Sequence, residues 1–234
     1  MSSDRIRFKY SGILVELVSV DNNDVTYKHI HKSNMFYEAS YLKFIHRNYN
    51  DLFKNSKKVV MVDIGASIGN HTIFFSKILE AQVFAFEPYK KSYSILQENI
   101  KLNRMEQKVV ARNIGISAHT KNLGIVKETK DMCGCTEWWY DSLSNTKGYT
   151  LDHIFQHQVD FIKIDVQGME MEVLKGAKTL IKNCSPVIMI ETTKLGGEIV
   201  NLKAFEQWMN DNNYEYLNRD IFRHNTHLIR RRRE

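Results

Sequence analysis

The chain has few cysteines and no long apolar run, and each lack narrows what it can be. Cys133, Cys135 and Cys184 are its three cysteines in 234 residues, too few for a disulfide framework. Cys133-Gly-Cys135 is set closer than the CxxC of a zinc knuckle, and no second pair exists, so free thiols in a reducing compartment are expected. No apolar stretch approaches the roughly 20 residues of a membrane span, and the opening MSSDRIRFKY holds no apolar signal core. The expected location is therefore cytoplasmic. The net charge of +6 gathers largely in Arg230 to Arg233, a run that reads as a solvated tail. Without interleaved aromatics or a known motif, no nucleic-acid partner is expected. What remains is an ordinary globular composition, 43% apolar and 26% charged, long enough for one sizeable core.

The apolar pattern sets the order of elements. IRFKYSGILVELVSV alternates about Ser11-Gly12 and predicts a strand pair with a tight turn. Ser33 is placed to cap a helix through NMFYEASYLKFIHRNY, in which Phe36, Tyr37, Tyr41, Phe44 and Ile45 recur at helical spacing. From Lys58 onward, strand and helix alternate. KVVMVDIG, QVFAFEP, KVVARNIGIS, DFIKID and PVIMIE read as buried strands, separated by helical HTIFFSKILE, SYSILQENIKLN and MEMEVLKGAKTLIKN. LKAFEQWMNDNN is a last helix before strands at YEYLN and HLIR. Repeated strand–helix units imply a doubly wound, mainly parallel α/β sheet, with residues 1–57 as an N-terminal strand pair and helix covering the site and residues 58–234 as the core.

Such sheets bind ligands at the carboxyl ends of their strands, beside the point where strand order reverses. Asp63, Glu87, Asn113, Asp165 and Glu191 all stand at such ends. The first of them opens the loop VDIGASIGNH, which allows three readings. Gly65-x-Ser67-x-Gly69 spells a hydrolase nucleophile elbow, but no HGGG-like oxyanion segment precedes it, and Asp63 would oppose a developing oxyanion. A nicotinamide fingerprint would place glycine at positions 67 and 70, which hold Ser67 and Asn70. S-adenosylmethionine fits best, because its loop has no pyrophosphate to approach. Gly65, Ala66, Ser67, Gly69 and Asn70 would pass beneath the methionine part, with Asp63 near its ammonium group. Glu87, followed by Pro88, offers two acceptor oxygens to the ribose hydroxyls, and Asn113 with Ile114 stands where the adenine edge would lie.

VVMVDIGASIGNHTIFFSKI, VFAFEPYKKSYSILQENIKLN, TLDHIF, VDFIKIDVQGMEMEVLKGA and PVIMIE resemble, in order and spacing, the FkbM-like S-adenosylmethionine-dependent methyltransferases. The resemblance runs from about residue 58 to 192, and Tyr37-Glu38 is similar to a pair that precedes the core in that family, so Tyr37 and Asp165 are expected at the cofactor as well. It implies a seven-stranded, Rossmann-like class I methyltransferase fold and O-methylation, commonly of sugar or polyketide hydroxyls. Members typically carry Asn at the position of Ser67 and Glu at that of Gln167, so a carboxylate is missing here beside the reaction centre.

Methyl transfer is an in-line displacement, so the site must hold oxygen, carbon and sulfur in line and offer the hydroxyl a base. Asp165 is the first candidate, Glu191 the second and His71 the third. A magnesium-type site would need a third oxygen ligand beside Asp165 and Glu191, and none is identifiable, so no metal is expected. Trp138, Trp139 and Tyr140 form a loop reading over the site, suited with Gln167 to contact a sugar acceptor. The expected function is O-methylation of a hydroxyl on a glycan or small molecule. The alternative from another class is a non-catalytic binding domain of the same fold within a larger glycan-building polypeptide; the oligomeric state is left open.

Overall fold

The computed structural model describes residues 5–19, 24–127, 137–192, 194–195, 198–199, 202–217 and 226–233. Cys133 and Cys135 lie outside these residues. β1 (Ile6–Tyr10) and β2 (Ile13–Leu17) form the expected hairpin, with Ser11 and Gly12 both at positive φ, as a two-residue turn between twisted strands requires. The next stretch departs from expectation. Ser33 ends α1 (Val25–Ser33) instead of capping a later helix, and Asp24 supplies the α1 cap by accepting from Tyr27 N. Asn34 then turns left-handed, and α2 (Ala39–Arg47) and the short α3 (Tyr49–Leu52) follow.

The core alternates as read. β3 (Val60–Ile64) leads through α4 (Asn70–Ile73) and a π-helical turn (Phe74–Ile78) to β4 (Gln82–Phe86), then through α5 (Lys90–Leu102) to β5 (Val109–Arg112). The stretch around Trp138 to Tyr140, read from the sequence as a loop, belongs to a second sheet: β6 (Gly115–Ile116), β7 (Lys121–Lys127), β8 (Glu137–Tyr140) and β9 (Thr146–Tyr149) pair in the order β6-β9-β7-β8. Trp138 to Tyr140 therefore sit on a strand paired antiparallel to β7, and the rings alternate sides as strand residues do. After α6 (Leu151–Ile154) the chain returns as β10 (Phe161–Ile164), α7 (Glu170–Lys175), α8 (Lys178–Cys184) and β11 (Val187–Glu191). A short hairpin, β12 (Lys194–Leu195) and β13 (Glu198–Ile199), precedes α9 (Leu202–Asp211), β14 (Tyr214–Tyr216) and β15 (Thr226–Arg231).

The large sheet has seven strands in the order β14-β15-β11-β10-β3-β4-β5; β15 runs antiparallel to both neighbours and the rest are parallel. Strand order reverses between β3 and β10, which fixes the ligand crevice at their carboxyl ends. Alternate residues feed two cores. Val62, Ile64, Ile162, Ile164, Ile188 and Ile190 pack with Val173, Leu174, Leu180 and Phe205 on one face. Met61, Phe161 and Met189 pack on the other with Phe74, Phe75 and Leu96 and with Phe8, Leu17, Phe36 and Leu42 of the N-terminal segment. Each such fully buried side chain contributes about 1.5–3 kcal/mol. Asn99 clamps the segment further, accepting from Val18 N and donating to the carbonyls of Val18 and Ile68. Among the described residues no helix is long and apolar enough to cross a membrane.

Candidate active site

The period of two that builds the cores also sorts the charges. Asp63, Lys163, Asp165 and Glu191 share the parity of Met61, Phe161 and Met189, so they lie on the sheet face that meets the N-terminal segment. Lys163 is the residue that sequence reasoning missed; a lone charge inside the apolar run DFIKID was the available signal. Its ammonium group donates to Gly65 O at 2.8 Å and lies 3.5 Å from Asp63 and 3.4 Å from Asp165. Burial alone would lower its pKa, but the Asp165 and Asp63 charges outweigh that and raise it.

The glycine loop is tied down on both sides. Gly65 N and Ala66 N donate to Phe86 O, and Ser67 N donates to Glu87 Oε2 at 2.8 Å. Gly65 has φ +74°, and a Cβ there would sit 1.8 Å from Asp165 O, so glycine is demanded twice over. Gly69, also at positive φ, turns the chain into α4 but does not line the cavity. Glu87 accepts a second bond from Tyr89 N at 2.8 Å; its burial pushes the carboxyl up to about 7 despite the two N–H donors.

One cavity runs from this loop along the strand ends. Tyr37, Gly65, Ala66, Ser67, Asn70, His71, Glu87, Pro88, Ile114, Trp138, Asp165, Gln167 and Glu191, all expected in the site, line it together. Val25, Leu123, Lys163 and Met169 are among the other residues of its walls. Besides Gly69, four expected residues do not line it. Asp63 is fully buried beneath the loop, where it accepts from Thr72 Oγ1 at 2.6 Å and faces Lys163 instead of an incoming ammonium. Asn113 uses its amide to brace the turn after β4, donating to Glu87 O and Pro88 O. Trp139 is exposed on the outer side of β8, and Tyr140 donates its hydroxyl to Glu172.

At the far end Gln167 joins the two carboxyls, its amide nitrogen 2.7 Å from Asp165 Oδ1 and 3.3 Å from Glu191 Oε2. Burial would raise the Asp165 carboxyl, yet Lys163 and the hydrogen bonds from Glu191 and Gln167 hold it below its usual value. Burial and the Asp165 charge push Glu191 up to about 9, which favours a proton shared between the two carboxyls. Beside them His71 Nε2 lies 3.0 Å from Glu38 Oε2, and Thr226 Oγ1 donates to Glu38 Oε1 at 2.7 Å. No hydrogen bond joins a histidine to Ser67 among the described residues, which leaves the hydrolase reading without its base. Nor do any three His, Cys, Asp or Glu side chains among them form a group suited to a metal ion.

The family model of the methyltransferase FkbM domain matches residues 63–216. The chain belongs to the FkbM methyltransferase family. A curated relative, the hexuronic acid methyltransferase AglP of Haloferax volcanii, is 27% identical over 168 residues, covering 64% of this chain and 69% of that one. The solved FkbM methyltransferase of Methylobacillus flagellatus superposes with a TM-score of 0.54 at 18% identity, over 91% of this chain and 56% of that one. A solved structure described as a putative rRNA methylase, from Clostridium thermocellum, superposes with a TM-score of 0.50 at 10% identity, over 80% of this chain and 96% of that one. Both structural likenesses establish the Rossmann-like fold. As an FkbM methyltransferase the chain takes S-adenosylmethionine as cofactor, and its cavity fits that group: the Ser67 hydroxyl is buried without a partner among the described residues, and Glu87 presents carboxylate oxygens on the wall.

Proposed function

We propose that the protein transfers the methyl group of S-adenosylmethionine to a hydroxyl oxygen of a sugar, free or in a glycan. Bound S-adenosylmethionine supplies an electrophilic methyl group on a cationic sulfur. In this reading Glu87 accepts the ribose hydroxyls, the Gly65–Gly69 loop runs beneath the methionine part, and Ile114 and Pro88 flank the adenine. Asp165, Gln167 and Glu191 hold the acceptor at the methyl end. Trp138 offers the sugar an aromatic wall.

The observation that carries the reading is the Asp165–Gln167–Glu191 cluster at the cavity end reached from β10 and β11. It sets two carboxyl groups and an amide side by side, polar groups of the kind that meet a polyhydroxylated ring. The AglP relative adds a sugar acid as the acceptor class, and a sugar acid has two kinds of oxygen to methylate. The site favours hydroxyl over carboxylate. Among the described residues the one lysine of its lining is already held between Asp63 and Asp165, and the Glu38 carboxylate stands nearby, so an acceptor carboxylate at the methyl end would face like charge.

The test is incubation with S-adenosylmethionine and a panel of hexoses, hexuronic acids and their methyl glycosides, with S-adenosylhomocysteine release followed and the product mapped by NMR. A methyl ether is the expected product. A methyl ester, or no transfer to any sugar, overturns the reading.

A further inference from the structure

We propose that His71 takes the proton from the acceptor hydroxyl and that Glu38, which the sequence did not mark for chemistry, is its positioning residue. This deepens the sugar-hydroxyl reading and rests on it. The protonation pattern follows from groups whose roles are fixed. The Tyr37 backbone N–H can only donate, so the Asn70 atom that meets it at 2.9 Å is the amide oxygen. Asn70 Nδ2 then donates to Tyr37 O at 3.3 Å and faces His71 Nδ1 at 3.4 Å. An amide NH₂ cannot accept, so Nδ1 presents its lone pair and the proton of the neutral ring sits on Nε2. Nε2 lies 3.0 Å from Glu38 Oε2.

Glu38 is well placed for this. It stands at the N-terminal cap of α2 in the left-handed region, its other oxygen held by Thr226 Oγ1 at 2.7 Å. A buried carboxylate 3.0 Å from Nε2, though off the line of a hydrogen bond, stabilises by its charge the imidazolium that forms on proton uptake. The other acceptors at this end are committed. Asp165 is engaged by Lys163 and Gln167, and Glu191 is hydrogen-bonded to Asp165. Among the described residues His71 Nδ1 meets only the Asn70 amide, a 3.4 Å contact that gives way to the hydroxyl, and His71, Asn70 and Tyr37 line the same cavity as Asp165. In the step, the hydroxyl oxygen bonds to the methyl carbon while its proton passes to His71 Nδ1. The electron pair of the breaking carbon–sulfur bond stays on sulfur, and Glu38 keeps the imidazolium in place until the proton leaves to solvent.

Two measurements test this. Nitrogen-15 spectra of the imidazole-labelled native chain with S-adenosylhomocysteine should find neutral His71 as the Nε2–H tautomer; an Nδ1–H tautomer overturns the proposal. With the methyl glycoside of glucose as acceptor, His71→Gln and Glu38→Gln should lower kcat about 10²–10⁴-fold. Acceptor KM and S-adenosylhomocysteine affinity should stay near native in both, and Glu38→Asp should recover much of the lost kcat. Native kcat in His71→Gln also overturns it. A native chain that leaves this acceptor unmethylated contradicts the sugar-hydroxyl reading, and the nitrogen spectrum then decides the dyad on its own.

Discussion

Asp63 and Lys163 are direct cross-strand partners in β3 and β10, and the Lys163 ammonium lies 3.5 Å from Asp63 Oδ1 with both side chains buried. The same ammonium reaches Asp165 and the Gly65 carbonyl, so one cation holds the glycine loop and the carboxylate at the cavity wall.

Lys163→Met removes that cation and leaves the buried Asp63 carboxylate facing the half-buried Asp165 carboxylate. The expected loss of stability is about 3–5 kcal/mol at neutral pH, read by urea unfolding. The Asp165 pKa is depressed in the native fold, so its contribution is present above the unfolded value of about 3.9 and fades as pH falls through the folded value. The gap between native and variant should therefore shrink in acid. A gap that is constant with pH would mean that Lys163 acts by packing alone.

Glu191 works in the opposite direction. Its folded pKa of about 9 lies above its ordinary value of 4.5, so the folded chain binds the extra proton between those limits and its stability falls as pH rises through them. Glu191→Gln keeps a donor toward Asp165 without a titrating group. Native protein should lose stability relative to this variant as pH rises from about 5 to about 9; parallel curves across that window would place Glu191 in an ordinary environment.

Gly65→Ala meets both a positive φ and the Asp165 carbonyl. The backbone conformation alone costs about 1–2 kcal/mol, and the clash adds to it, so the variant should unfold at lower urea and bind S-adenosylhomocysteine far more weakly. Ser67→Ala has neither problem, and its turnover should stay near native; abolished turnover in a folded Ser67→Ala protein would revive the nucleophile reading.

Trp138 and Trp139 are adjacent but face opposite sides of β8, and only Trp138 lines the cavity. Trp138→Ala should raise the acceptor KM or weaken cofactor binding, whereas Trp139→Ala should change neither. Equal effects would show that the β8 strand matters as a whole and not through one ring.

The sheet was legible because its strands are buried on both faces and end in glycine turns or acids, a pattern set by local residues. The glycine loop, Glu87, Asp165 and Glu191 followed from it. What stayed hidden depends on distant contacts. The role of Asp63 is set by Lys163, 100 positions later, which turns a ligand-facing acid into a buried counter-ion. Glu38 gains its meaning from His71 and from Thr226 at the other end of the chain. The β7–β8 pairing was missed because three aromatics in a row obscure the alternation that a strand imposes. Ser33 carried a cap's side chain, but Asn34 and Glu38 both turn left-handed and start the next helix later.

The most direct test of the account is calorimetric titration of S-adenosylhomocysteine into the native chain, Glu87→Ala and Gly65→Ala, each shown to be folded by circular dichroism. The account predicts micromolar binding to the native chain and a loss of at least about tenfold, or 1.4 kcal/mol, in each variant. Unchanged binding in both variants, or none in the folded native chain, would contradict the assignment of the cofactor to this cavity.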